Sequence, residues 1–107
     1  MIRLIPMTQI TQTKLPELIV SAAVQITFSS SMYIVPCTGY DTPNLNSILK
    51  VLQEKENQKG KLVQGFVTNR NRFLNQEAAL PIAMKHRQIR RFCSIKDPHL
   101  LFPEDLY

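Results

Sequence analysis

From Ile19 to Phe28 the chain reads IVSAAVQITF, with Ala22, Val24, Ile26 and Phe28 alternating against Ala23, Gln25 and Thr27. A period of two with one mostly apolar face predicts a half-buried strand. Ser29, Ser30 and Ser31 form a turn cluster before a second β-rich run, Met32–Val35, so the pair reads as a β-hairpin. Pro36 cannot donate to a strand ladder and is expected to end it. The period then changes. Leu45, Ile48, Leu49 and Leu52 fall at i, i+3, i+4 and i+7, one face of a helix running to about Glu56. Thr42 suits its N-cap and Pro43 its first position, and Gly60 is expected near its C-terminal cap.

The stretch Val63–Ala83, VQGFVTNRNRFLNQEAALPIA, compresses a strand, a turn and a helix start. Leu62–Thr68 predicts a strand, and the glycine inside it, Gly65, marks a bulge or a close approach by another segment or a ligand. Asn69, Arg70 and Asn71 make a turn, and Arg72–Leu74 returns as a short strand. Asn75 is an N-cap residue and Glu77 suits the positive first turn of the helix that follows. That helix is expected over Gln76 to about Arg87, with Ala79, Ile82, Ala83 and Met84 inward, and with Pro81 kinking or shortening it. Ile89–Phe92 fits a strand or a helix extension equally. Leu100, Leu101, Phe102, Leu106 and Tyr107 are too apolar for a tail in water, so the C-terminus is expected to pack on the body or on a second subunit. Residues 1–18, with Pro6 and Pro16, read as an irregular lead-in with a short strand at Met1–Ile5. The expected architecture is one α+β domain over residues 19–107, a small and mostly antiparallel sheet with two helices.

Composition narrows the function more than the fold. With 107 residues, 44% apolar and 20% charged, the chain has the size and balance of one globular domain. No apolar run reaches membrane-spanning length, and the N-terminus does not read as a signal peptide, so the expected location is the cytoplasm. Cys37 and Cys93 belong to no metal-ligand spacing; reduced, buried or half-buried thiols are the expectation, and a bridge between them stays open. There is no GxSxG motif, and Gly39, Gly60 and Gly65 are too far apart for a phosphate-binding loop. His86 and His99 stand alone and the acids are scattered, so neither catalysis nor a cofactor nor a metal is expected. The net charge of +5 is uneven: Arg70, Arg72, Lys85, Arg87, Arg90, Arg91 and Lys96 face only Glu77 within one segment. Such a field suits an anionic partner, or is merely a solvated basic face. Arginine's planar fork matches phosphate oxygens in pairs. Phe66, Phe73 and Phe92, interleaved with these arginines, are either stacking surfaces for a base or ordinary core residues.

The run QGFVTNRNRFLNQEAALPIA, followed by the ending LLFPEDLY, resembles the first-described Thoeris anti-defence sponge family of small phage proteins. The likeness covers roughly residues 19–107 and is tightest over Gln64–Ala83 and Leu101–Tyr107. It implies noncovalent capture of the cyclic ADP-ribose isomer made by bacterial TIR-domain sensors, in the host cytoplasm, by a homodimer or larger assembly. Some members also bind cyclic oligonucleotides at a separate site. Carried onto this chain, the resemblance implies that Phe66 walls or stacks on the adenine and Asn75 hydrogen-bonds ribose or base. Arg90 and Arg91, with Arg87 in support, would pair with the diphosphate. After the hairpin the family carries a basic residue and a histidine following a glycine. Here the chain reads Pro36-Cys37-Thr38-Gly39-Tyr40-Asp41-Thr42, and Tyr40 is the side chain available to substitute by hydrogen bonding. The alternative from the residues alone is a small basic protein that binds DNA or RNA through the Arg70–Lys96 face.

Overall fold

The computed structural model describes residues 16–90 and 99–106. The expectations for Met1–Ile5, Arg91, Phe92, Cys93, Lys96 and Tyr107 therefore lie outside the described residues. Four strands, β1 (Ile19–Thr27), β2 (Met32–Cys37), β3 (Lys61–Thr68) and β4 (Phe73–Asn75), form one antiparallel sheet in the order β2-β1-β3-β4. Between them run α1 (Pro43–Glu56), α2 (Gln76–Lys85) and a short α3 (Pro103–Leu106). The chain is an α+β protein, as the patterning predicts. No described helix is long and apolar enough to cross a membrane.

β1 is the central strand and carries the alternation. Ala22, Val24, Ile26 and Phe28 all point to the core, where they meet Val35 on β2 and Phe66 on β3. α1 lays Leu45 and Leu49 over the Val24–Phe28 half. α2 lays Ala79 and Ala83 over Ile19, Ala22 and Phe66, where Leu101 joins them. Both helices thus cover the same side of the sheet, and small alanines let α2 sit close. The tail packs on the body: Leu101 is fully buried, and its N–H donates to the Gln76 carbonyl at 3.0 Å while Gln76 Nε2 donates back to the Leu101 carbonyl at 3.0 Å.

Local signals set most boundaries. Thr42 caps α1, its Oγ1 accepting from Leu45 N at 3.2 Å, with Pro43 opening the helix. Asn75 caps α2, its Oδ1 accepting from Ala78 N at 2.8 Å. Gly65 is a close-approach glycine: a Cβ there would lie against the Leu74 carbonyl oxygen, 2.6 Å from Phe73 Cζ and 3.0 Å from Asn75 Cα.

Four local expectations are corrected. Pro36 does not end β2; the strand continues to Cys37 because β2 is the sheet's edge, where a missing donor breaks no ladder. α1 ends at Glu56 as expected, but its cap is Asn57, left-handed at φ 54°, rather than Gly60. Met84 is 54% exposed and Ile48 45% exposed, so neither is a core position. α2 stops at Lys85 instead of Arg87, with Pro81 inside its ten residues.

Candidate functional site

The start of β1, the end of α2 and α3 meet at a cleft of about 310 Å³ lined by Ile19, Val20, Arg87, Gln88, Arg90 and Leu106. Each lining element has a local cause. The β1–β3 register shifts between Ile19 and Ser21, so Val20 is an extra residue that bulges outward while Ile19 and Ala22 both reach the core. Bulges re-aim side chains in this way. Gln88 fixes the opposite wall. Its Oε1 accepts from Ile19 N at 2.9 Å and its Nε2 donates to the Ile19 carbonyl at 2.8 Å. One amide side chain therefore fills the place a neighbouring strand would take.

The arginines are set by how α2 ends. Gln88 N donates to the Ala83 carbonyl at 2.8 Å and Arg87 N to the Met84 carbonyl at 3.2 Å. These are the two bonds of a Schellman cap, with Arg87 at the left-handed position; its φ is 54°. Arg90 N in turn donates to the Asp105 carbonyl at 2.8 Å, tying the second arginine to α3. Asp105 is almost wholly buried, and its Oδ2 accepts from Phe102 N at 2.9 Å.

A different arginine is already satisfied. Arg72 donates from Nε to Glu17 Oε2 at 2.7 Å and from Nη2 to Glu17 Oε1 at 2.6 Å, and Thr68 Oγ1 adds a bond to Glu17 Oε2 at 2.7 Å. Hydrogen bonds from the Arg72 guanidinium, then from Thr68, hold the Glu17 carboxyl down at about 2. The same pairing raises Arg72 above its usual value. No acidic side chain among the described residues pairs with Arg87 or Arg90. Arg72 is thus engaged by Glu17, while Arg87 and Arg90 stand as exposed cations at the cleft.

The residues implied by the resemblance fall in separate places. Arg87 and Arg90 share the cleft. Phe66 is 0% exposed within the core, its ring edge-to-face with Tyr40 at 6.2 Å between centroids, so in the single chain it offers no face for a base. This corrects the stacking role: as the β3 residue opposite Ala22 on β1, Phe66 lies beneath α2. Tyr40 donates from its hydroxyl to the Gly65 carbonyl at 2.6 Å and binds the loop after β2 to β3. Asn75 serves as a cap and borders another cleft, of about 450 Å³, with Leu62, Gln64, Gln76 and Glu77. Among the described residues that line it there is no Lys or Arg, and the Glu77 carboxylate among them disfavours an anion. Cys37 is a half-buried free thiol, pushed up by burial. Among the described residues, no three His, Cys, Asp or Glu side chains gather as a metal site would require.

Reading the sequence misses Val20, Ile19, Gln88 and Leu106 as wall residues. The bulge and the Gln88 bonds depend on partners far away in sequence, and nothing around Gln88 announces them.

Fold and cleft together define a small two-layer α+β protein with a recess edged by two arginines, Arg87 and Arg90, that no described carboxylate engages. The family model described as Phage T4 y16D protein matches residues 18–107, and the chain belongs to that family of phage proteins. No curated protein and no solved structure matches it.

Proposed function

We propose that this phage protein is a sponge: it captures a cyclic ADP-ribose isomer, the immune signal of TIR-domain sensors, and holds it intact without cleaving it. The observation that carries the reading is the Arg87/Arg90 cleft, where two cations that no described carboxylate engages stand beside the apolar walls of Ile19, Val20 and Leu106 and the amide of Gln88. A cyclic ADP-ribose isomer presents the same division, a diphosphate for the guanidinium forks and base and ribose surfaces for the wall. Membership of a phage family agrees with an anti-defence role, and the sequence resemblance supplies the ligand class. At about 310 Å³ the cleft is at the small end of ligand pockets. A second copy completing the enclosure is part of the proposal, and so is Arg91 as a further phosphate contact. Cyclic oligonucleotides are the second ligand class to test.

The decisive experiment incubates purified protein with the TIR product, removes free ligand, and heats the complex. Release of unchanged signal is the expected result. Signal that never leaves solution sinks the reading, and a chemically altered product makes the protein an enzyme. The alternative, nucleic-acid binding through the exposed basic face, predicts a steep salt dependence of roughly tenfold or more for a few-fold rise in salt when several phosphates are contacted.

A further inference from the structure

Three non-glycine residues among those described have left-handed backbones: Asn57, Asn71 and Arg87. Asparagine tolerates that conformation; a residue with a long side chain does not adopt it without cost. Arg87 occupies the position of the Schellman cap that glycine fills in most helices, and both cap hydrogen bonds come from main-chain N–H groups that glycine would supply equally well. The cap therefore has no need of an arginine. Attraction of a cation to the negative helix end is the bland account, but Lys85 already stands in the last turn of α2. Arg87 also lines the cleft that holds Arg90, and no described carboxylate engages it. Strained backbone that folding does not require gathers at functional sites.

We infer that Arg87 is a ligand-gripping residue kept at a glycine position against the interest of the fold, and that its partner is a phosphate or diphosphate group. The inference rests on reading the cleft as an anion site, and it sharpens the proposed function by making Arg87 the principal phosphate contact rather than a supporting one. Arg90, carried on a main chain tied to α3, is the fixed member of the pair. Arg87, set by the left-handed turn, is the member whose backbone geometry would have relaxed in the absence of a ligand to hold.

The test uses the full chain, with Arg87→Gly and Arg87→Lys variants, inorganic pyrophosphate and ADP-ribose as probes beside the TIR product, calorimetric titration, and thermal melting without ligand. Arg87→Gly is expected to raise the melting midpoint by a few degrees, on the order of 4 °C, while weakening diphosphate binding by about tenfold or more. Arg87→Lys keeps the charge and the strain, so its midpoint is expected to match wild type and its affinity to fall between the two. If Arg87→Gly melts lower than wild type, the arginine is a structural cap and the inference is wrong. If Arg87→Gly binds the TIR product as tightly as wild type, the inference fails and the sponge reading survives. Wild type that binds none of the three probes overturns both. Binding of pyrophosphate and ADP-ribose lost in Arg87→Gly, with the TIR product ignored by wild type, supports the inference and removes the sponge reading.

Discussion

Gly65 permits a quantitative test of the sheet that frames the cleft. β4 pairs with β3 at three positions only, Gly65↔Asn75, Phe66↔Leu74 and Val67↔Phe73. A methyl group at Gly65 would press on the Leu74 carbonyl and approach Phe73 Cζ to 2.6 Å. The phenylalanine ring can turn aside, but the carbonyl belongs to the paired backbone and cannot move without breaking the ladder. Overpacking of this kind costs typically 1–3 kcal/mol, and a backbone clash belongs at the upper end. Gly65→Ala is therefore expected to lose about 3 kcal/mol from a total of about 5–15 kcal/mol, and to lower the melting midpoint by about 12 °C or more. Gly39→Ala is the control, since its added methyl meets only Thr42 Cγ2 at 3.6 Å in ordinary contact. It is expected to stay within about 0.5 kcal/mol of wild type. Urea denaturation of both variants reads the difference as a shifted midpoint at constant slope. Equal stability of Gly65→Ala and Gly39→Ala would refute the close pairing of β4 on β3 and, with it, the placement of Asn75.

Other outcomes follow from single contacts. Asn75→Ala removes the α2 cap and should cost about 1 kcal/mol in urea melts, while Asn75→Asp, which keeps the acceptor, should cost little; equal losses would remove the cap. Leu101→Ala hollows the core beneath α2 and should cost about 2–5 kcal/mol, whereas a tail merely resting on the surface would show less than 1 kcal/mol. The Glu17 carboxyl is depressed from 4.5 to about 2 in the folded chain, so its contribution to stability is full above about pH 4.5 and is lost as pH falls toward 2. Arg72→Ala should accordingly destabilise the protein at pH 6 and converge on wild type near pH 2, measured by denaturation midpoints across that range. A gap independent of pH would show that Arg72 acts by packing instead. Arg90→Ala should weaken capture of the TIR product at unchanged stability, because among the described residues it is the Arg90 main chain that is bound, to the Asp105 carbonyl; undiminished capture removes Arg90 from the site.

The features legible in the chain are those whose causes lie within a few residues. Thr42 with Pro43, and Asn75 with Glu77, announce helix starts because a cap and its recipient amide are three residues apart. The β1 alternation is legible because α1 and α2 cover the face that Ala22, Val24, Ile26 and Phe28 share. Pro36 was misleading for the opposite reason: its effect depends on whether β2 is an edge, a property of strand order rather than of the local residues. Asn57 and Gly60 both adopt positive φ, so either could have ended α1. At the site, the arginine cluster was visible as charge, but its division was not. Arg72 is neutralised by Glu17 across 55 positions of chain, and Phe66 is buried by an α2 whose inward face is alanine. The left-handed Arg87 has no signature in sequence, since the residue found there is one that such a position normally rejects.

The strand order has a consequence for synthesis on the ribosome. β1 is central, yet one of its neighbours, β2, is made immediately after it, while the other, β3, follows only once the whole of Phe28–Gly60 has been added. At about 5–20 residues per second this leaves one edge of Ile19–Thr27 unpaired for a few seconds. Nothing in that segment is charged, and its outer neighbour β2 is blunted by Pro36 while β1 itself has no such guard. The nascent chain is thus most exposed to wrong pairing along the strand that later lies deepest in the sheet, and slowing translation between Phe28 and Gly60 should lower the soluble yield more than an equal delay placed after Thr68.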